Sequence, residues 1–178
     1  MFFSMTQHNT LYALLASLLE PMLFLKLTTG FALFALAMAL ASEGFLGLEP
    51  CRLCIYQRWP YAVIVLLGLI GLARPRLSRT IAGLTGLAFL LNSAIAFYHT
   101  GVERHWWTSA VEGCAVPHFG NEPQNFLENI MSTPAGRCDE IPWADPLLGL
   151  SMANYNAMLC FVFFVLSALC LSRLRNPE

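Results

Sequence analysis

Residues 146–172 have the sequence PLLGLSMANYNAMLCFVFFVLSALCLS and contain no charged side chain. An α-helix needs about 20 predominantly apolar residues to cross the hydrocarbon core of a bilayer. This stretch is long enough, and so is the uncharged stretch between Arg79 and Glu103. The two stretches therefore predict two membrane-spanning helices in the second half of the chain.

Two shorter uncharged stretches occupy residues 27–42 and 59–73. Each can cross a bilayer if the charged side chains at its ends reach the interface, as the long side chain of Lys26 can. We therefore predict a single domain over residues 1–178 with four spans and two outer loops. The predicted spans are about 23–46, 56–73, 79–99 and 146–171, and the loops about 47–55 and 100–145.

The composition agrees with this interpretation. Hydrophobic residues make up 57% of the 178 residues and charged residues 12%, and the mean hydropathy is +0.58. A soluble domain has about 25% charged residues, so lipid must cover part of this surface. The 10 basic and 11 acidic residues exclude the strong positive field of a nucleic-acid-binding protein. The predicted fold class is an all-α integral membrane protein, a bundle of four transmembrane helices.

The distribution of charge predicts the orientation. Arg74, Arg76 and Arg79 crowd the turn between the second and third spans, and Arg173 follows the fourth. Most acidic residues lie at the tip of the first hairpin or in the long loop. By the positive-inside rule, the arginine-rich turn and both termini are cytoplasmic, and the two outer loops are periplasmic if the source is a bacterium.

Two further segments are predicted at the membrane surface. In the long loop, apolar residues at 126, 127, 130 and 131 have the spacing of a short amphipathic helix. Near the N-terminus, residues 11–19 form an apolar run, and residues 1–25 contain no Lys or Arg. A cleavable signal peptide has a basic region, so we predict a short interfacial helix there instead.

Four of the six cysteines lie in the outer loops, as Cys51 with Cys54 and Cys114 with Cys138. Three interpretations compete for them: two structural disulfides, a four-cysteine zinc site and a redox relay. A zinc site of this kind has two close-spaced pairs, and Cys114 and Cys138 are far apart in sequence, so no metal is predicted. The other two cysteines, at 160 and 170, are predicted to act as small apolar residues in the fourth helix.

The C-x-x-C pair favours the relay. Such a pair closes a very short loop, so as a disulfide it stabilises a fold little. It precedes a helix predicted to start near Ile55, where backbone N–H groups favour a thiolate, most of all at Cys54. Arg58 lies four residues beyond Cys54 on the same helix face and would stabilise an anion there. Alone, Arg58 is equally well explained as a snorkelling interfacial arginine.

The segment EPCRLCIYQR at residues 49–58 resembles the P-C-x-L-C-x-x-x-R signature of the disulfide bond formation protein B family, the DsbB proteins. Residues 97–107, FYHTGVERHWW, resemble the end of the third helix in proteobacterial members of that family. Residues 148–152, LGLSM, resemble the start of its fourth helix. With the four helices and two outer cysteine pairs, the resemblance covers nearly the whole chain.

The resemblance implies an inner-membrane thiol:quinone oxidoreductase that reoxidises a periplasmic DsbA-type thiol oxidase. The cofactor would be ubiquinone or menaquinone. Cys114 would form the mixed disulfide with the partner, and Cys138 would be its companion. Cys51 would exchange with this loop pair, and Cys54 would face the quinone.

Three further residues are implied around the quinone head, namely Arg58, His99 and Met152. Without the resemblance, His99 is better explained as an interfacial histidine and Met152 as a packing residue. The residues that follow Met152, Asn154 to Asn156, are more polar than a quinone pocket usually is.

Two other functions stay open. A vitamin K epoxide reductase-like protein also has four helices and a quinone-linked C-x-x-C, but there the motif is expected at the last helix, whereas here it opens the second. A non-enzymatic, disulfide-stapled membrane subunit would have an inert C-x-x-C and would tolerate replacement of Arg58 by Lys.

Overall fold

The structure is a computed structural model that describes residues 20–111, 114 and 136–175. Within these residues, four helices are long and apolar enough to cross a membrane. They are α1 (Pro21–Leu46), α2 (Arg52–Ala73), α3 (Ser78–Glu103) and α4 (Met152–Arg175), and a 3₁₀ turn, Pro75–Leu77, joins α2 to α3. The predicted fold class, an all-α membrane protein with four spans, is confirmed. The predicted surface helices at 11–19 and 126–131 lie outside the described residues.

The helix bounds differ from the predicted ones because local capping decides them. Helix α1 ends where Gly47 takes a left-handed conformation, with φ at 62°. Helix α2 begins at Arg52, not near Ile55, because Cys51 caps it: the Cys51 sulfur accepts the backbone N–H of Cys54 at 3.2 Å. Helix α3 continues past residue 99 to Glu103, whose side chain is buried instead of lying in a solvated loop.

Helix α4 begins later than predicted, because a turn occupies the residues before it. The Asp145 carboxylate accepts the backbone N–H groups of Leu147 and Leu148, at 3.3 and 2.7 Å. Gly149 then reverses the chain with φ at 64°, and its carbonyl accepts a hydrogen bond from Arg104 at 2.8 Å. This turn ties the start of α4 to the end of α3.

The centre of the bundle is aromatic. Phe31 of α1, Tyr61 of α2, Phe89 of α3 and Phe163 of α4 meet there, and the Phe89 and Phe163 rings stack with centroids 4.9 Å apart. Around this core, α3 is the most buried helix and packs against both α2 and α4. The aromatic layer therefore packs all four helices together.

The buried face of α3 also carries polar residues at intervals of seven, namely Ser78, Thr85, Asn92 and His99. Seven residues are close to two helical turns, so these side chains line one stripe of the helix. A polar group in the apolar interior of a membrane bundle needs partners from neighbouring helices. Asn92 and His99 have such partners: the Asn92 amide nitrogen lies 3.5 Å from the Cys160 sulfur of α4, and His99 Nδ1 lies 2.8 Å from the Gln57 nitrogen of α2. The buried Thr85 hydroxyl has no hydrogen-bond partner among the described residues.

Small residues let the helices approach closely. A Cβ atom added at Gly68 of α2 would lie 1.8 Å from the Thr29 hydroxyl oxygen of α1, and one at Gly86 of α3 would lie 2.2 Å from the Ser167 hydroxyl oxygen of α4. Without a hydrophobic force between helices in lipid, such close packing is a main source of association.

We expect Gly68→Ala to destabilise the bundle by about 1–3 kcal/mol, because the methyl group collides with the β-branched Thr29. The matched control is Gly30→Ala, since nothing lies within 4 Å of the added methyl there and alanine favours a helix. Thermal unfolding in detergent, followed by near-ultraviolet circular dichroism, measures both variants. Equal midpoints for the two would contradict this packing.

Candidate functional site

The C-x-x-C pair lies at the N-terminal end of α2. Cys51 is the capping residue of the helix and is 3% exposed, whereas Cys54, in the first turn, is partly exposed. Both thiols are free, and the Cys51 thiol is hydrogen-bonded to the Cys54 sulfur at 2.8 Å. This hydrogen bond and burial raise the pKa of Cys51 well above its usual range. The thiolate form of Cys51 is therefore disfavoured in this environment.

The second cysteine pair lies directly against the first. Cys114 and Cys138 form a disulfide with their Cα atoms 4.8 Å apart, and both are fully buried. They pack in one apolar cluster with Cys51, Leu53 and Val102. Residues far apart in sequence thus bring the two predicted pairs together, as disulfide exchange between them requires.

A glycine allows this approach. A Cβ atom added at Gly136 would lie 2.7 Å from both the carbonyl carbon and the carbonyl oxygen of Pro50, and 2.8 Å from the backbone nitrogen of Cys51. These are backbone atoms and cannot rotate away. The segment that carries Cys138 therefore contacts the C-x-x-C at backbone distance only because position 136 has no side chain.

Ion pairs stabilise the segment that follows Gly136. The Arg137 guanidinium donates to the Asp139 carboxylate at 2.8 and 3.1 Å and pairs with Glu140 at 2.6 Å. The hydrogen bonds from Arg137 hold the pKa of Asp139 below its usual range. These contacts join the residues on either side of Cys138 and stabilise the local conformation of the loop.

Arg58 lies one turn beyond Cys54 on α2, as the spacing predicted, and its guanidinium forms an ion pair with Glu43 near the end of α1. The two side chains are 23% and 30% exposed. Glu43 was not among the predicted site residues. The available signal was an acidic residue next to the apolar end of α1, on the same side of the membrane as Arg58.

His99 is buried on α3 beside the C-x-x-C, 4% exposed. Its Nε2 atom lies 3.5 Å from the Cys51 sulfur and 3.7 Å from a carboxylate oxygen of Glu103. Its Nδ1 atom lies 2.8 Å from the side-chain nitrogen of Gln57. Both ring nitrogens therefore face protein groups. The Cys51, Cys54 and His99 ligand atoms lie within 4.8 Å of one another, so the reduced pair could also hold a thiophilic metal ion.

Beyond Gln57, a polar chain runs into the bundle. The Gln57 carbonyl oxygen accepts a hydrogen bond from Asn156 of α4 at 2.5 Å, and the Asn156 oxygen accepts one from the Tyr61 hydroxyl. The Tyr61 oxygen lies 3.3 Å from the sulfur of Cys160. The polarity around Asn156 was visible in the sequence. Its partners on α2 were not, because they depend on how α2 and α4 face each other.

Met152 is the first residue of α4, and its side chain is 49% exposed. The preceding residue, Ser151, is fully buried and donates a hydrogen bond to the Glu103 carboxylate. Glu103 in turn faces His99, so the start of α4 is connected to the cysteine pair through two side chains.

The comparisons with known proteins agree with this geometry. A family model described as "Disulfide bond formation protein DsbB" matches residues 21–170. "Disulfide bond formation protein B 2" of Pseudomonas aeruginosa is 31% identical over 169 residues, which cover 86% of this chain and 95% of that protein. "Disulfide bond formation protein B" of Polaromonas sp. is 33% identical over 141 residues, covering 76% of this chain and 81% of that protein.

A further relative, "Disulfide bond formation protein B" of Dechloromonas aromatica, is 34% identical over 137 residues, which cover 69% of this chain and 75% of that protein. No solved structure matches this chain. The family match extends over all four described spans and both cysteine pairs. This chain belongs to the DsbB family of disulfide bond formation membrane proteins.

Proposed function

We propose that this protein is an inner-membrane thiol:quinone oxidoreductase that reoxidises a periplasmic DsbA-type thiol oxidase. Two cysteine pairs carry the electrons to ubiquinone or menaquinone. The observation that carries the proposal is the packing of the Cys114–Cys138 disulfide against Cys51, next to Cys54 at the head of a transmembrane helix. The arrangement leads from a loop outside the membrane to a partly exposed thiol at its edge.

The relay begins in the long loop. A thiolate of the reduced partner attacks the Cys114 sulfur, the bond to Cys138 breaks, and Cys138 leaves as a thiolate. Cys138 then attacks Cys51 of the oxidised C-x-x-C, and Cys54 leaves as a thiolate. These two exchanges produce one mixed disulfide with the partner and one between Cys138 and Cys51.

Two further exchanges complete the transfer. The second thiolate of the partner attacks its own mixed disulfide, which releases the oxidised partner and a Cys114 thiolate. Cys114 attacks Cys138 and restores the loop disulfide, and Cys51 leaves reduced. Two electrons then reside on Cys51 and Cys54.

The surroundings of Cys54 fit a lipid-soluble electron acceptor. Cys54 is partly exposed, and the neighbouring side chains of Ile55 and Trp59 are 36% and 68% exposed on the apolar surface of α2. The bound quinone supplies a two-electron sink strong enough to reoxidise DsbA, whose potential of about −120 mV makes ordinary thiol oxidants inadequate. Met152 is proposed to line the same site from the start of α4.

Arg58 is proposed to stabilise negative charge at this site. Its guanidinium lies one turn from Cys54 and is oriented by Glu43, so it needs little reorganisation when a thiolate forms or the acceptor gains charge. His99 is also proposed at the quinone site. Since both ring nitrogens face protein groups, the geometry favours an effect of His99 on the Cys51 sulfur over direct contact with the quinone.

The proposed orientation has both termini in the cytoplasm and the cysteine loops in the periplasm, supported by the arginines between α2 and α3. The family match and the position of the C-x-x-C on α2 argue against a vitamin K epoxide reductase-like protein. A purely stapled subunit would not need the loop disulfide to pack against Cys51, as it does here.

Cys54→Ala is expected to reduce quinone reduction to the uncatalysed background, because it removes the thiol proposed to face the acceptor. The assay mixes reduced DsbA-type protein, a soluble ubiquinone analogue and the purified enzyme, and follows quinone absorbance. Cys170→Ala, which removes a buried thiol of α4 that the relay does not use, should retain the rate. Full activity in Cys54→Ala would overturn the proposed function.

Gly136→Ala is expected to slow electron transfer from the loop pair to the C-x-x-C by about tenfold or more. The added methyl group collides with the Pro50–Cys51 backbone and pushes the loop away from it. Overpacking of this kind costs about 1–3 kcal/mol. Rapid-quench trapping of thiols after mixing with reduced partner measures the step. Gly44→Ala, where nothing lies within 4 Å, is the matched control. An unchanged rate would show that backbone contact is not needed.

Arg58→Lys is expected to lower quinone turnover while leaving the folded fraction unchanged. A lysine cannot keep the planar contact with Glu43 and places its charge differently. Arg74→Lys, a conservative change at the opposite end of α2, is the control. Equal turnover in both variants would remove Arg58 from the mechanism and favour the stapled subunit.

The reduced protein at neutral pH is expected to react with iodoacetamide at Cys54 well before Cys51. Cys51 is 3% exposed, and the hydrogen bond to Cys54 together with burial raises its pKa, which disfavours its thiolate form. Peptide mass mapping over a time course gives the two rates. Faster labelling of Cys51 would contradict its burial and its raised pKa.

A further inference from the structure

A chain of four side chains runs from the bundle core to the C-x-x-C, and the proposed relay leaves most of it without a role. Tyr61 and Gln57 are buried on α2, Asn156 projects from α4, and His99 is buried on α3. Each is within hydrogen-bond distance of the next, and the last, His99, lies 3.5 Å from the Cys51 sulfur. Three helices must be in place for the chain to be continuous.

We infer that Tyr61, Asn156 and Gln57 act as positioning residues that hold His99 in the tautomer with its proton on Nε2, directed at the Cys51 sulfur. The inference rests on the direction of the hydrogen bonds, which a chain of amides transmits from one end to the other. The expected effect of this tautomer on turnover rests on the proposed function, whereas the tautomer itself can be tested without it.

The donor-to-acceptor direction of these hydrogen bonds is set at Tyr61. Its hydroxyl donates to the Asn156 oxygen, which also lies 3.3 Å from the Cys160 sulfur as an acceptor. Asn156 therefore turns its NH₂ group to the Gln57 oxygen, at 2.5 Å. Gln57 in turn presents its own NH₂ group to His99 Nδ1, at 2.8 Å. An amide NH₂ group only donates, so Nδ1 must be the unprotonated nitrogen.

The groups that face His99 Nε2 are hydrogen-bond acceptors, as this tautomer requires. The Cys51 thiol directs its hydrogen to the Cys54 sulfur, so the side of Cys51 that faces His99 is an acceptor. The second neighbour of Nε2 is a carboxylate oxygen of Glu103 at 3.7 Å, another acceptor. Both neighbours of Nε2 therefore favour a proton on that nitrogen, in agreement with the direction set by Tyr61.

The chemical consequence concerns Cys51 as a thiolate. Cys51 is a leaving group when the loop disulfide is restored and carries negative charge at that moment. An Nε2–H group directed at the sulfur stabilises this charge by a hydrogen bond, and no proton needs to be transferred. The other tautomer would present a lone pair to the thiolate and oppose it. The polar chain thus favours the tautomer that assists the exchange.

The test uses full-length protein in detergent with ¹⁵N-labelled histidine. The chain has four histidines, so a His99→Gln variant assigns the His99 signals. At neutral pH, His99 Nδ1 should have the chemical shift of an unprotonated ring nitrogen and Nε2 that of a protonated one. A wild-type spectrum with the proton on Nδ1 would overturn the inference.

Asn156→Leu should break the chain, so that the two nitrogen shifts move toward a mixture of tautomers. Transfer between the cysteine pairs should fall by about tenfold, the value of one hydrogen bond to a charged group. Gln57→Met tests the same point from the other end without altering α4. Unchanged His99 shifts in a folded variant of either kind would overturn the inference.

Ser93→Ala is the matched control, because the Ser93 hydroxyl bonds the Ala157 carbonyl between α3 and α4 but lies outside the chain. It should keep the wild-type shifts and the wild-type transfer rate. The two proposals also fail separately. Absence of quinone reduction in the wild type would overturn the proposed function alone, and a wrong tautomer would overturn only the positioning role.

Discussion

The structure depends most on one constraint, which is that the Cys51 sulfur is both a helix cap and the meeting point of the two cysteine pairs. It accepts the Cys54 backbone N–H, contacts the Cys54 sulfur and faces His99. It also packs against the loop disulfide. Movement of the Cys51 sulfur would break the cap on the first turn of α2. The first turn of α2 therefore positions Cys51, and the loop that carries the disulfide packs against it.

The membrane explains why the supporting polar groups are arranged as they are. In an apolar bundle an unsatisfied polar group is costly, so polar side chains lie where several helices meet. The chain from Tyr61 to His99 meets this requirement across α2, α4 and α3, and the Arg58–Glu43 pair meets it between α1 and α2. These contacts order the end of the bundle that carries the cysteines, while the aromatic layer orders its centre.

Much of the fold could be predicted because its main signals are local. An uncharged stretch of about 20 residues predicts a span whatever surrounds it, and P-C-x-L-C-x-x-x-R predicts the position of the reactive pair. Helix ends were less predictable. The cap at Cys51 and the turn at Asp145 depend on hydrogen bonds between particular atoms, and Glu103 extends α3 because Ser151, from the other end of the loop, bonds to it.

The sequence by itself therefore determined the membrane class, the four spans and the two cysteine pairs, because hydropathy, charge and short motifs are properties of contiguous residues. Only the tertiary structure decided that Gly136 contacts the backbone of Cys51, that Glu43 pairs with Arg58, and that Asn156 orients Gln57. These contacts join residues far apart in the chain. Their existence depends on how the helices rotate and cross, which is set by close packing of side chains and by the need to satisfy each buried polar group.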